Sequence, residues 1–152
     1  LYASGLTIGT AESCTGGRIS EAIIAIPGSS DYYKGGIVAY TDEVKVKLLG
    51  VSSEVLEEQT AVSEEVAREM VLGTLNAIGV DFAIASTGYA GPGGGTKEAP
   101  VGTIWLAYGN REEVRTFKLT EDFGRDINLA IATNKAIRLM LDFLKDMDIK
   151  SE

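Results

Sequence analysis

The sequence predicts an α/β fold with helices on both faces of a mixed sheet. Two observations carry that prediction. Short apolar runs alternate with helical patterns along most of the chain, and a hairpin signal follows, so parallel and antiparallel strands are expected together. The 18 glycines among 152 residues gather at Gly16-Gly17, Gly35-Gly36 and Gly88 to Gly95, which places them in loops at element ends. There is no internal repeat and no linker-like stretch. A chain of 152 residues, 45% hydrophobic and 24% charged, suits one domain over 1–152 that can bury a sizeable core. It begins at Leu1 without a methionine, which leaves room upstream for anything from a few residues to an entire preceding domain.

Leu6-Thr7-Ile8-Gly9-Thr10-Ala11 reads as the first strand. Thr15 is placed to cap a helix from about Gly16 to Ile26, where Ile19, Ala22, Ile23 and Ile26 follow the i, i+3, i+4, i+7 spacing of a buried face. Pro27-Gly28 stops it. Gly36 to Tyr40 is a short second strand. Thr41 caps a helix over Asp42 to Leu49, closed by Gly50. Ser52 and Ser63 are two more N-caps, each followed by glutamates that suit a helix start. The helix after Ser63 runs to about Ile78 and ends at Gly79. Phe82 to Thr87 is apolar enough for a central strand covered on both faces. Val101 to Tyr108 and Glu113 to Leu119 are joined as a hairpin by Gly109 to Glu112. A long amphipathic helix closes the chain, with Ile127, Ala130, Ile131, Ile137, Met140, Leu141 and Leu144 on its inner face.

Composition narrows the chemistry. With 14 Lys+Arg against 22 Asp+Glu, the net charge is −8, which argues against a nucleic-acid-coating protein. There is no histidine and a single cysteine, Cys14. Serine–histidine triads, Cys–His dyads, histidine-held zinc and an internal disulfide are therefore out of reach. Neither a metal nor another cofactor is expected. No apolar run is long enough to span a bilayer. One thiol and the lack of a secretory signal suit the cytoplasm.

Three segments could carry chemistry. In Ala11-Glu12-Ser13-Cys14-Thr15-Gly16-Gly17, two hydroxyls and a thiol precede a helix start, where free N–H groups and the helix dipole can hold an oxyanion or phosphate. The bland alternative is that Thr15 merely caps and the glycines merely permit close packing. In Tyr40-Thr41-Asp42-Glu43-Val44-Lys45, the lysine is ordinarily a solvated surface group. It becomes a base only if it faces the Ser13 loop and loses water. Ser86 to Thr96 is a glycine-rich loop after a buried strand, fit for close approach to a ligand. It lacks the Lys-Ser/Thr ending of a P-loop, so nucleoside triphosphate hydrolysis is not expected.

Together, A-E-S-C-T-G-G, Y-T-D-x-x-K-x-x-L-L-G-V, A-V-S-E-E-V-A, S-T-G-x-A-G-P-G-G-G-T and P-V-G-T resemble the CinA C-terminal domain in order and spacing over about residues 6 to 119. The resemblance implies a three-layer α/β/α sandwich with a mixed, roughly five-stranded sheet. It implies an amidohydrolase that converts nicotinamide mononucleotide to nicotinate mononucleotide and ammonia in pyridine-nucleotide salvage. The carried-over roles are Ser13 as nucleophile, Lys45 as its base, Tyr40 in the same network and Thr87 near the oxyanion or substrate. Cys14, Thr15, Gly16, Gly17, Gly36, Gly88, Ala90, Gly91 and Arg125 are the expected substrate-binding positions. The implied partners are a small pyridine nucleotide and further copies of the chain, as a homodimer or higher homo-oligomer, with neither nucleic acid nor membrane. The chain departs from the family in three places. Gln59-Thr60 replaces a usual His-Gly, Tyr89 replaces a small aliphatic residue, and Gly124 stands where an aspartate usually precedes Arg125. Two other readings stay open: a non-catalytic nucleotide- or partner-binding module linked to competence or DNA damage, and Cys14 as nucleophile.

Overall fold

A computed structural model describes residues 5–147. Its elements in chain order are β1 (Ile8–Glu12), α1 (Arg18–Ile24), a 3-10 turn (Ser29–Asp31), β2 (Tyr33–Val38), α2 (Asp42–Leu49), α3 (Ser53–Gln59), α4 (Glu64–Thr74) with a π turn (Leu75–Gly79), β3 (Phe82–Gly88), β4 (Ile104–Gly109), β5 (Val114–Leu119) and α5 (Arg125–Asp146). The strands form one sheet in the order β2-β1-β3-β4-β5. β1 is parallel to β2 and β3, while β3–β4 and β4–β5 are antiparallel. This is the predicted three-layer sandwich with a mixed five-stranded sheet.

Strand alternation sends two different surfaces into two cores. Phe82 and Ile84 of β3, with Leu106 and Tyr108 of β4, face α1 and α5. Ala83, Ala85 and Ala107 face the layer built from α2, α3 and α4. Small side chains on that face let α4 lie close to the sheet, where Val66, Ala67, Met70 and Val71 are fully buried.

Several boundaries differ from the sequence reading. β2 lies earlier than Gly36 to Tyr40, because its parallel register with β1 pairs Ile8 with Tyr33 and Glu12 with Val38. β4 starts at Ile104 rather than Val101, where antiparallel pairing with Gly88 begins. The first strand ends on Glu12, not Ala11. α1 is shorter than Gly16 to Ile26, and Ile26 is exposed. The predicted inner face of α5 is borne out at Met140 and Leu144, with Ile137 packed against the core, but Ile127, Ala130, Ile131 and Leu141 are exposed, and the buried stripe runs through Leu129, Ala132, Ala136, Met140 and Phe143. Both stripes are apolar at helical spacing. The tie is broken by the sheet: Ala132 and Ala136 permit close approach, and Phe143 meets Phe82 and Tyr108 edge-on at 6.2 and 6.1 Å between ring centroids.

Candidate functional site

β1 and β3 run side by side, and their carboxyl ends deliver Glu12-Ser13 and Thr87-Gly88 to one edge of the sandwich. α1 leaves this edge without a local cap. Its N-cap is Gly17, in a left-handed conformation that suits glycine, and no side chain of that residue can bond the first turn. The cap comes instead from the strand. Glu12 is fully buried. Its Oε1 accepts from the Ile19 N–H at 2.9 Å and the Thr15 hydroxyl at 2.6 Å. Its Oε2 accepts from the Ser20 N–H at 2.9 Å and the Ser20 hydroxyl at 2.7 Å. Thr15 is thus not the cap. The anion-binding start of α1, open to a ligand in the sequence reading, is occupied by the protein's own carboxylate.

α2 is built from local signals. Thr41 accepts from the Val44 N–H, and Gly50 closes the helix in a left-handed conformation. One turn into it, Lys45 points inward and is 1% exposed. Its Nζ lies 3.0 Å from Ser13 Oγ and donates to the Tyr40 carbonyl at 3.3 Å. Burial lowers the Lys45 pKa from the ordinary lysine value, against a smaller opposing pull from Asp42. Cys14 is also buried, and desolvation pushes its thiol up to about 11. Such a thiol stays protonated at neutral pH and is a poor nucleophile.

Ser13, Cys14, Lys45, Thr87 and Arg125 line a cavity of about 290 Å³. Tyr40, Gly88, Ala90 and Gly91 complete the predicted residues on its wall, and Asp42 and Tyr89 join them. Thr87 is buried and donates its hydroxyl to the Ala61 carbonyl at 2.8 Å. Arg125 opens α5 and donates to the Gly91 carbonyl at 2.7 Å. Asn128 ties the same loop down, donating to the Ala90 carbonyl and to Asp122. A neighbouring cleft of about 590 Å³ carries Glu58, Glu64, Glu65 and Glu98 on its wall. Its charge is unsuited to a phosphate.

The remaining predicted positions lie elsewhere. Thr15, Gly16, Gly17 and Gly36 are not on the cavity wall. Gly36 is glycine because a Cβ there would run into the hydroxyls of Thr10, Tyr33 and Ser20. Tyr40 reaches the lysine through its carbonyl, and its side chain is exposed. The amides of Ser13 and Gly16 are already bonded, to the carbonyls of Ser86 and Ser13. Glu12 and Asn128 hold the loops of the site in place, and the sequence reading gives neither a role. The signal for Glu12 was a carboxylate ending an apolar strand just before a helix that starts on glycine. For Asn128, no local pattern sets it apart from a surface asparagine.

A family model described as CinA C-terminal domain matches residues 1–144. A CinA-like protein of Leptospira borgpetersenii is 45% identical over 141 residues, covering 92% of this chain and 34% of the relative. The chain therefore spans about a third of that relative's length. Among solved structures, a competence-damaged protein (CinA) superfamily protein from Escherichia coli superposes with TM-score 0.91 at 39% identity, covering 95% of this chain and 84% of the other. The competence/damage inducible protein CihA from Agrobacterium tumefaciens gives TM-score 0.87 at 41% identity, covering 93% and 87%. Among the described residues, no helix is long and apolar enough to cross a membrane. Nor does any group of three or more His, Cys, Asp or Glu there stand where it could hold a metal ion.

Proposed function

The chain belongs to the CinA C-terminal domain family, and we propose that it hydrolyses the carboxamide of nicotinamide mononucleotide to nicotinate mononucleotide and ammonia. The observation that carries the reading is the buried Lys45 Nζ at 3.0 Å from Ser13 Oγ. In a chain without histidine, this pair supplies both nucleophile and base.

The geometry supports the following steps. Neutral Lys45 keeps one N–H on the Tyr40 carbonyl, which turns its lone pair toward Ser13. Lys45 takes the Ser13 proton as Oγ attacks the carboxamide carbon. Of the loop amides, those of Ser13 and Gly16 are already bonded and Thr15 is fully buried off the cavity wall, so the Cys14 N–H is the donor left to meet the oxyanion. The carbon–nitrogen bond breaks, and the leaving nitrogen takes the proton from Lys45 and departs as ammonia. Water then attacks the Ser13 ester as Lys45 takes its proton, Lys45 returns that proton to Ser13 Oγ as the carbon–Oγ bond breaks, and the acid released ionises to the carboxylate. Arg125 is the cation available to the 5′-phosphate. The enzyme is expected to need no metal and to act in the cytoplasm as a homodimer or higher homo-oligomer.

Ammonia release and nicotinate mononucleotide formation test the proposal. The parent chain and Cys14→Ser should turn over, and Ser13→Ala should not. Since only the unprotonated amine is a base, the rate should climb with pH through one ionisation below the ordinary lysine value of 10.5. No ammonia from the parent above the Ser13→Ala background would reject the reading.

A further inference from the structure

The hydroxyl groups behind Ser13 form one connected chain. Tyr33 OH lies 2.8 Å from Thr10 Oγ1, which lies 2.7 Å from Ser20 Oγ. On the other side, Ser86 Oγ lies 2.7 Å from Thr15 Oγ1. Both branches end on Glu12. A hydroxyl has one proton to give. Ser20 gives its proton to Glu12, so Thr10 must donate to Ser20 and Tyr33 to Thr10. Thr15 gives its proton to the other carboxylate oxygen, so Ser86 must donate to Thr15. Every proton in both branches therefore runs toward Glu12.

We propose that Glu12 is the positioning residue of the site: its carboxylate orders the loop from Ser13 to Gly17 and anchors both hydroxyl branches behind the nucleophile. Its two oxygens accept two backbone N–H groups and two hydroxyls together. A glutamine would place an amine against at least one pair of donors. The same contacts pin Thr15 and the first turn of α1 on either side of Gly16-Gly17, two left-handed residues that otherwise leave the loop free to rearrange. The Ser13 backbone follows Glu12 directly, and its N–H is tied to the Ser86 carbonyl at 3.1 Å. Ser13 Oγ is thereby held for Lys45. The consequence for catalysis rests on the amidohydrolase reading, whereas the ordering of the loop does not.

Two readouts separate these parts. The first is the iodoacetamide alkylation rate of Cys14 in the folded protein, followed by intact mass. The second is kcat and KM for ammonia release from nicotinamide mononucleotide. Glu12→Gln should alkylate at least tenfold faster than the parent. Its kcat should fall at least tenfold, with KM changed less than threefold. Ser52→Ala, which removes a helix cap elsewhere, should move neither readout. If Glu12→Gln does not fold by circular dichroism, Thr15→Val replaces it, removing one donor and the Ser86 branch with little change of shape. Thr15→Val should raise alkylation severalfold. Parent-like alkylation in a folded Glu12→Gln or Thr15→Val variant would overturn the proposal. So would an equal change in Ser52→Ala, because the effect would then be one of stability alone. If the parent releases no ammonia, the amidohydrolase reading falls while the alkylation rates still decide the role of Glu12.

Discussion

α1 starts behind the Ser13 loop and α2 at the cavity wall, and they start in opposite ways. α2 carries its own cap: Thr41 bonds the first turn, acidic Asp42 and Glu43 follow, and Lys45 lies one turn in. α1 starts on Gly17 and borrows its cap from Glu12, on the strand before it. The two meet where Lys45 Nζ approaches Ser13 Oγ. Lys45, the proposed base, is thus mounted on a helix that its own residues specify. Ser13, the proposed nucleophile, stands on a loop that has its shape only when strand, loop and helix are assembled. A site of this kind can take its precision from tertiary hydrogen bonds without giving up a locally stable helix.

The largest effect expected from breaking either side is on turnover through Lys45. Lys45→Arg retains positive charge but cannot act as a base. Its activity should fall by about 100-fold or more, the range general-base removal usually gives, read as ammonia release from nicotinamide mononucleotide. Activity within a few-fold of the parent would show that α2 contributes no base. Next in size is the stability contrast between the two caps. Glu12→Ala leaves two buried N–H groups and two hydroxyls without their acceptor, at about 1–3 kcal/mol for each unsatisfied group. The total loss in chemical denaturation should exceed about 3 kcal/mol. Thr41→Ala removes a single local cap and should cost about 1 kcal/mol. Equal losses would mean that borrowed and local caps are energetically alike here.

The same contrast explains what the sequence disclosed. Thr41, Ser52 and Ser63 all cap as read, because each cap joins a side chain to an N–H three residues on. Residue type and position single out the Ser13 loop and Lys45 as candidates, and the resemblance supplies their roles. Their approach depends on the parallel pairing of β1 and β3 and the placement of α2 over the sheet, neither of which is a local property. Thr15 was misread because a threonine before Gly-Gly looks like a cap, while the carboxylate that outcompetes it three residues earlier looks like part of a strand. Gly36, an expected substrate-binding position by resemblance, has a structural reason to be glycine that no local pattern shows: hydroxyls fill the space a Cβ would need. The α5 face is legible only in part, at Met140 and Leu144, for a different reason: two apolar stripes are available over its first turns, and only packing against the sheet selects one.

The smallest effect concerns Lys45 and stability rather than rate. Burial holds its folded-state pKa below the unfolded value of 10.5. Between those two values the unfolded chain binds more protons, so stability rises with pH across that interval. At lower pH the full cost of burying the charge is present. Lys45→Met has no such titration at this position. It should therefore be more stable than the parent at neutral pH, by a few tenths to about 1 kcal/mol, because the lost contacts to Ser13 and Tyr40 offset part of the relieved desolvation. The advantage should shrink as pH climbs toward 10.5. Cys14 titrates in both proteins, so its contribution largely cancels in the difference. Denaturant unfolding of the two proteins from pH 7 to 10.5 measures it directly. A difference that stays constant across that range would mean that Lys45 titrates as it does in the unfolded chain, and the case for a base mounted on α2 would go with it.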